Sequence, residues 1–298
     1  MKGLKRLFIL CALLCATVSS CMSPEKSYVV KSVFIMDRRG LFAEGSDWKV
    51  AKTEALSAKP SSMEEAHDIV RKALKVAGGK HSHIVEAGIF KEEMSTTSWE
   101  MPSLSFPEEG IALVKIPTFS GNDEQGKKYA IALSSSIPDN LTGAIIDLRG
   151  NTGGNMYPMI AAVQSFIPEG IIINFKGRKT NWGISLGAVL KTAGADPAPK
   201  IDCPVAILTD SLTASAGEAT LLCFRGLSNV RTFGSPTAGY ASGNTSFPMN
   251  DGSSLILTTG CDEARTGELF CDDPIDPDCD TPDPVKDALE WILSNKGE

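Results

Sequence analysis

The stretch VAILTDSLTASAGEATLLCF, residues 205–224, decides the fold. It opens on an apolar run, closes on another, and sets Ser211, Thr213, Ala214, Ser215, Ala216 and Gly217 between them. A run as uniformly apolar as Val205–Leu208 is the mark of a strand covered on both faces. The second run opens a stretch, Ala219 to Leu227, that reads as a helix. The corner therefore puts Ser215 in the first turn of a helix, where unpaired N–H groups and the helix dipole favour developing negative charge. A serine so placed can act as a nucleophile, with bare N–H groups to hold an oxyanion. Taken alone, the same small residues equally suit close helix packing.

A second loop of this kind follows a second buried strand, in GAIIDLRGNTGGN, residues 143–155. Glycines there let the backbone approach a ligand and offer N–H groups to it. Outward from these two loops, strands read at 111–116, 171–175 and 230–234, and helices within 121–137 and at 156–167. The alternation argues an α/β core with parallel strands. Residues 247–260 read as a hairpin built on Asn250-Asp251-Gly252, and 283–295 as a helix with Pro284 in its first turn. Nearer the start, 61–76 form a helix capped by Ser61 or Ser62, with Met63, Val70 and Leu74 as its apolar stripe and Gly78-Gly79 as its stop. A shorter helix is expected within 47–58. His67 reads as a surface histidine.

The chain begins MKGLKRLFILCALLCATVSSCMS. Lys2, Lys5 and Arg6 precede an apolar run, Leu7–Val18, too short for a stable membrane span, which is the layout of a secretory signal. Val18-Ser19-Ser20 before Cys21 resembles a bacterial lipobox. That implies a leader over 1–20, cleavage before Cys21 and acylation of its thiol, which tethers a domain to a membrane without making it span. The expected location is exported and lipid-anchored, at the outer membrane, in the periplasm or at the cell surface. Loss of the leader takes the net charge from −7 to −10, and such an acidic surface argues against nucleic acid. Of eight cysteines, Cys261 and Cys271 flank a turn at 264–267 and can pair across it. Cys203 and Cys223 lie in apolar patterns and read as buried thiols. No zinc-site spacing is present, and neither metal nor cofactor is called for.

Together, IIDLRGNTGGN (145–155), ILTDSLTASAGEA (207–219) and FGSPTAGYASG (233–243) resemble the serine peptidase family of the tail-specific and C-terminal-processing proteases and the tricorn protease core. The resemblance continues into PIDPD at 274–278, SDW at 46–48 and GGKHSHI at 78–84. It implies an α/β, ClpP/crotonase-like spiral of ββα units with a small helical N-terminal region. Residues 21–105 would be the anchored linker and helical region carrying the catalytic histidine, and 106–298 the peptidase domain. By position, the resemblance makes Ser215 the nucleophile and the N–H groups of Gly154 and Ala216 the oxyanion hole. Asp147 and Arg149 would hold the loop.

The tail-specific branch uses a lysine where this chain has Tyr240, and no lysine occurs from 201 to 285, so a Ser–Lys dyad is ruled out. The tricorn-like branch uses a histidine, to which His81 corresponds best, with His83 as the alternative. A neutral imidazole takes a serine proton near pH 7, which a phenol of pKa about 10 does poorly. The carboxylate that steadies the histidine in that branch falls, by strict spacing, on Cys271; Glu268 and Asp272 flank it. Without such a carboxylate a triad loses much of its rate. No PDZ domain fits between Ile84 and Ala144. The implied activity is endopeptidase action on peptides or unfolded protein. The alternative is a catalytically silent module binding ligand or peptide on the same scaffold, as in retinoid-binding relatives. Enoyl-CoA hydratase-like enzymes share the scaffold, but export argues against coenzyme A.

Overall fold

The computed structural model describes residues 22–88, 99–133 and 136–295. The expected leader over residues 1–20 and Cys21 lie outside the described residues. The chain divides into two compact units, one of Met1–Ala87 with Ser246–Leu257, the other of Gly88–Thr245 with Thr258–Glu298.

In the first unit, α1 (Pro24–Arg39), α2 (Gly45–Ser57) and α3 (Met63–Gly78) pack around one apolar cluster. α3 begins as its sequence predicts: the Glu65 N–H donates to Ser62 Oγ at 3.2 Å, and the Glu65 carboxylate takes the N–H and hydroxyl of Ser61. Val70 and Leu74 meet Val29, Val33 and Met36 of α1 and Leu255 and Leu257 of the closing strand in this cluster. The short β1 (His83–Val85) lies antiparallel to residues 254–256. α1 has no counterpart in the sequence reading, although Ser23 caps it and Pro24 opens it; the exposed Phe34 interrupts what would be its polar face. His67 is not a surface histidine. Its Nε2 lies 2.7 Å from Asp251 Oδ2 with only 13% of the side chain exposed, and its ring packs on Tyr28 at 4.8 Å. A turn 184 residues away in sequence covers that helix face, which helical spacing alone does not reveal.

The second unit runs β2 (Ser103–Glu108), β3 (Ile111–Lys115), α4 (Asp123–Ile131), β4 (Gly143–Asp147), α5 (Met156–Ala162), β5 (Ile171–Gly177), β6 (Asn181–Ser185), α6 (Leu186–Ala193), β7 (Val205–Thr209), α7 (Ala216–Leu222) and β8 (Val230–Gly234). β9 (Ser242–Pro248) and β10 (Ser254–Glu263) form the hairpin, followed by β11 (Leu269–Phe270), β12 (Cys279–Asp280) and α8 (Pro284–Ser294). The main sheet has the order β12-β8-β7-β4-β3-β2. It is parallel from β3 to β12, with β2 added antiparallel at the edge. The expected mixed α/β fold with a parallel core is what the chain adopts. Residues 260–263 of β10 pair with β5, which pairs with β6, in a second sheet.

The all-apolar strands have the burial their composition requires. Val114, Ile146 and Ile207 point into a cluster with residues of α4, α5, α6 and α7, whereas Ile111, Ile145, Ala206 and Leu208 point the other way, against Ala288 and Ile292 of α8. Alternation along each strand sends successive side chains to opposite faces, so a strand covered on both sides must be apolar throughout. Each fully buried branched side chain contributes about 1.5–3 kcal/mol. Among the described residues, no helix is long and apolar enough to cross a membrane.

Cys261, in β10, and Cys271, just past β11, form a disulfide, closing a turn in which the Gly267 N–H donates to the Ala264 carbonyl. Cys203 and Cys223 are free and buried; burial pushes the Cys203 thiol up to about 11 and that of Cys223 further. Opening the short disulfide loop should cost about 2 kcal/mol, a fall in Tm of roughly 5 °C. Thermal unfolding of the Cys261→Ser/Cys271→Ser variant beside the oxidised protein measures it, and added reductant should leave the variant's Tm where it is.

Candidate active site

β4 and β7 are parallel neighbours in register, Ile146 opposite Ile207 and Asp147 opposite Leu208, so the loops that leave them emerge side by side. Backbone bonds sew the two loops together. The Ala214 N–H donates to the Asn151 carbonyl at 2.9 Å and the Leu148 N–H to the Leu208 carbonyl at 3.0 Å. The Thr213 hydroxyl donates to the Leu148 carbonyl at 3.0 Å. Asp210 accepts the N–H groups of Gly150, Leu212 and Thr213. Asp147 takes the Arg149 guanidinium on both oxygens, at 2.8 and 2.7 Å. Buried Asn151 donates to the Ile116 carbonyl and accepts the Gly153 N–H at 2.9 Å.

Ser215 is the N-cap of α7, with φ 52° and ψ −113°. Among the described residues it is the one non-glycine residue with positive φ. Such backbone costs about 1–3 kcal/mol and persists only where its surroundings hold it. Glu218, one turn on, supplies part of that hold. Its fully buried carboxylate accepts the Ser215 N–H at 2.8 Å, the Gly239 N–H at 2.9 Å, the Tyr240 N–H at 2.7 Å and the Thr237 hydroxyl. Burial pushes this carboxyl's pKa up, and the four donors oppose the shift. The Ala238 N–H reaches the Thr213 carbonyl at 2.9 Å, and Thr237 is joined in turn to Ile275 by its N–H and its hydroxyl. The segments 213–218, 237–240 and 275 thus form one hydrogen-bonded block. The sequence reading assigns Glu218 no role, although Ser-x-x-Glu at a helix start is a capping signal.

The glycine loop passes directly beside the serine. A Cβ on Gly153 would stand 2.8 Å from Ser215 Cβ and 3.1 Å from the Ala216 nitrogen. Gly154 has φ 110° and lies against the Phe119 carbonyl, closer than any Cβ allows. Its neighbours are fixed by the Phe119 N–H to the Gly153 carbonyl and the Asn155 N–H to the Phe119 carbonyl. Among the described residues, no acceptor takes the N–H of Gly154 or of Ala216. The arrangement therefore offers a hydroxyl on a strained, anchored backbone with two unspent donors on the adjoining loop and helix start, the parts an acyl-transfer site needs.

The other sequence candidates lie as follows. His81 belongs to the first unit, half-buried in the turn after α3. His83 is exposed on β1, its Nδ1 3.1 Å from the His81 carbonyl. In the second unit, Glu268 is spent on Arg225, beyond the end of α7 remote from Ser215, with oxygen–nitrogen distances of 2.9 and 3.1 Å. That bond holds its carboxyl below the usual range. Asp272 is half-buried beside Cys271, and Tyr240 meets the block through its N–H on Glu218. Among the described residues, no group of three or more His, Cys, Asp or Glu is placed to hold a metal ion.

Gly150 and Gly154 test the close approach. Both have positive φ, but a Cβ on Gly150 meets nothing within 4 Å. Gly150→Ala should cost about 1 kcal/mol for backbone alone, and Gly154→Ala at least about 3 kcal/mol because the chain must also part from Phe119. Urea unfolding of the two variants gives the difference.

The model of the family described as Peptidase family S41 matches residues 110–281. The chain is 36% identical over 284 residues to the nisin-resistance protein of Lactococcus lactis subsp. lactis, covering 91% of this chain and 88% of that one. It is 27% identical over 254 residues to the carboxy-terminal processing protease CtpA of Bacillus subtilis (strain 168), spanning 52% of that relative's length. Among solved structures, a lipoprotein from Streptococcus agalactiae superposes with a TM-score of 0.82 at 30% identity, covering 92% of this chain and 97% of that one. The photosystem II D1 C-terminal processing protease superposes with a TM-score of 0.64 at 14% identity, covering 93% and 98%, a likeness of fold alone.

Proposed function

Because the chain belongs to peptidase family S41, we propose that it is an exported, lipid-anchored serine endopeptidase working through Ser215 with a histidine base rather than a lysine. The observation that carries this reading is the Ser215 backbone, strained at φ 52° at a helix start with the glycine loop passing beside it. In the proposed reaction, His81 takes the hydroxyl proton as Ser215 Oγ adds to the scissile carbonyl. The Gly154 and Ala216 N–H groups hold the tetrahedral oxyanion, and His81 returns the proton to the leaving amine. Water then repeats the sequence on the acyl-enzyme. Residues 21–105 carry the base and 106–298 the nucleophile. Glu268 and Asp272 are the two carboxyls proposed to steady the histidine, Glu268 being paired with Arg225.

The relative named for nisin resistance makes nisin the first peptide substrate to test. The solved lipoprotein supports reading Cys21 as the point of lipid attachment. With β2, β3 and α4 filling 103–131, peptide capture falls to the catalytic unit's own surface and not to a PDZ module.

A fluorophosphonate probe, mapped by mass spectrometry on the mature protein, should label Ser215. Ser215→Ala should abolish labelling, and His81→Ala should reduce it by at least about 10³-fold while His83→Ala does not. Nisin digestion followed by mass spectrometry should track labelling across the same variants. A folded protein that neither labels nor cleaves would instead be the silent binding module.

A further inference from the structure

Strand β10 carries a carboxyl into the interior of the second unit that the proposed chemistry does not use. Asp262 is 2% exposed. Its cross-strand neighbours are Phe175 on β5 and Phe270 on β11, and its Oδ1 has no hydrogen-bond partner. Its backbone N–H donates to the Ala241 carbonyl at 3.4 Å, one residue beyond Tyr240, whose N–H is held by Glu218. Burial first, and the Glu218 charge second, push the Asp262 pKa well above the ordinary carboxylate range. Asp262 also bears on the Cys223 thiol at the end of α7, which Arg265 of the following turn influences as well. Arg265 spends Nη2 on the Cys223 carbonyl at 3.2 Å.

The two buried carboxyls are unequally provided for. Glu218 collects four donors, the environment of an ion. Asp262 has apolar neighbours and an unpartnered oxygen, the environment of a neutral acid. Two carboxyls that feel each other's charge in a dry interior carry one charge between them more readily than two. We propose that Asp262 is a positioning residue for the nucleophile: kept as a neutral carboxylic acid, it lets Glu218 carry the single negative charge that fastens Ser215 to Gly239 and Tyr240. The proposal rests on Ser215 being the nucleophile, but its effect on stability does not. A group whose folded pKa is raised contributes stability that is complete below the unfolded value of about 3.9 and is lost as pH rises through the folded one. Ionising Asp262 sets a second charge beside Glu218 and loosens the block that holds Ser215.

Asp262→Asn keeps the shape and removes the titration. Tm and the fluorophosphonate labelling rate are measured on mature wild type and variant from about pH 5 to about pH 9. Wild-type Tm should fall with rising pH more steeply than that of D262N. The variant-to-wild-type labelling ratio should climb about tenfold per pH unit once Asp262 ionises. Parallel Tm curves with a constant ratio would overturn the proposal. A protein that never labels would overturn the Ser215 reading instead, and the Tm slopes would still judge Asp262. Should D262N not fold, the carbon-13 carboxyl resonance of Asp262 in the wild type, assigned by elimination against the other aspartates, decides directly. A protonated signal at neutral pH supports the proposal and an ionised one defeats it.

Discussion

The carboxylate of Glu218 is the constraint on which the site depends. It lies one helical turn after Ser215 and gathers donors from that residue and from Thr237, Gly239 and Tyr240. A serine at positive φ relaxes toward ordinary backbone unless something opposes it. Here the opposing force is the hydrogen bond from the Ser215 N–H to buried Glu218, in an interior where such bonds are stronger than in water. The same carboxylate fixes the segment from Thr237 to Tyr240.

Around that anchor, the parallel sheet does the coarse placement. β4 and β7 run in register and end together, so the loops after them meet without long connections, in keeping with the rule that parallel sheets bind ligands beyond the carboxyl ends of their strands. The glycines then do the fine placement. Gly153 stands where a side chain would strike Ser215, and Gly154 where one would strike Phe119. Buried Asn151 ties the turn from inside, with its amide on Ile116 and its oxygen on Gly153.

The first unit shows a different economy. Its three helices share a cluster with the tip of the β9–β10 hairpin, and His67 joins that hairpin through Asp251. A histidine on an amphipathic helix is thereby spent on structure, while His81 lies in the turn that follows the same helix. Three histidines in the chain thus divide into one structural, one exposed and one half-buried.

Much of this was legible in order of residues alone. Alternating apolar runs determine a parallel α/β core because a doubly covered strand admits no polar face. Ser62 and Glu65 determine the start of α3 through bonds within four residues, and small residues around Ser215 determine a tight strand-to-helix corner. What tertiary structure alone decided is where distant groups converge. α1 lacks a clean periodic face and packing defines it instead, whereas α6 buries Leu186, Val189, Leu190 and Ala193 at a helical spacing that the sequence reading passed over. Glu218 meets donors 19 to 22 residues away, and Asp262 loses its water between two phenylalanines on neighbouring strands. A carboxyl's charge depends on burial and on which donors reach it, and both are properties of the folded chain.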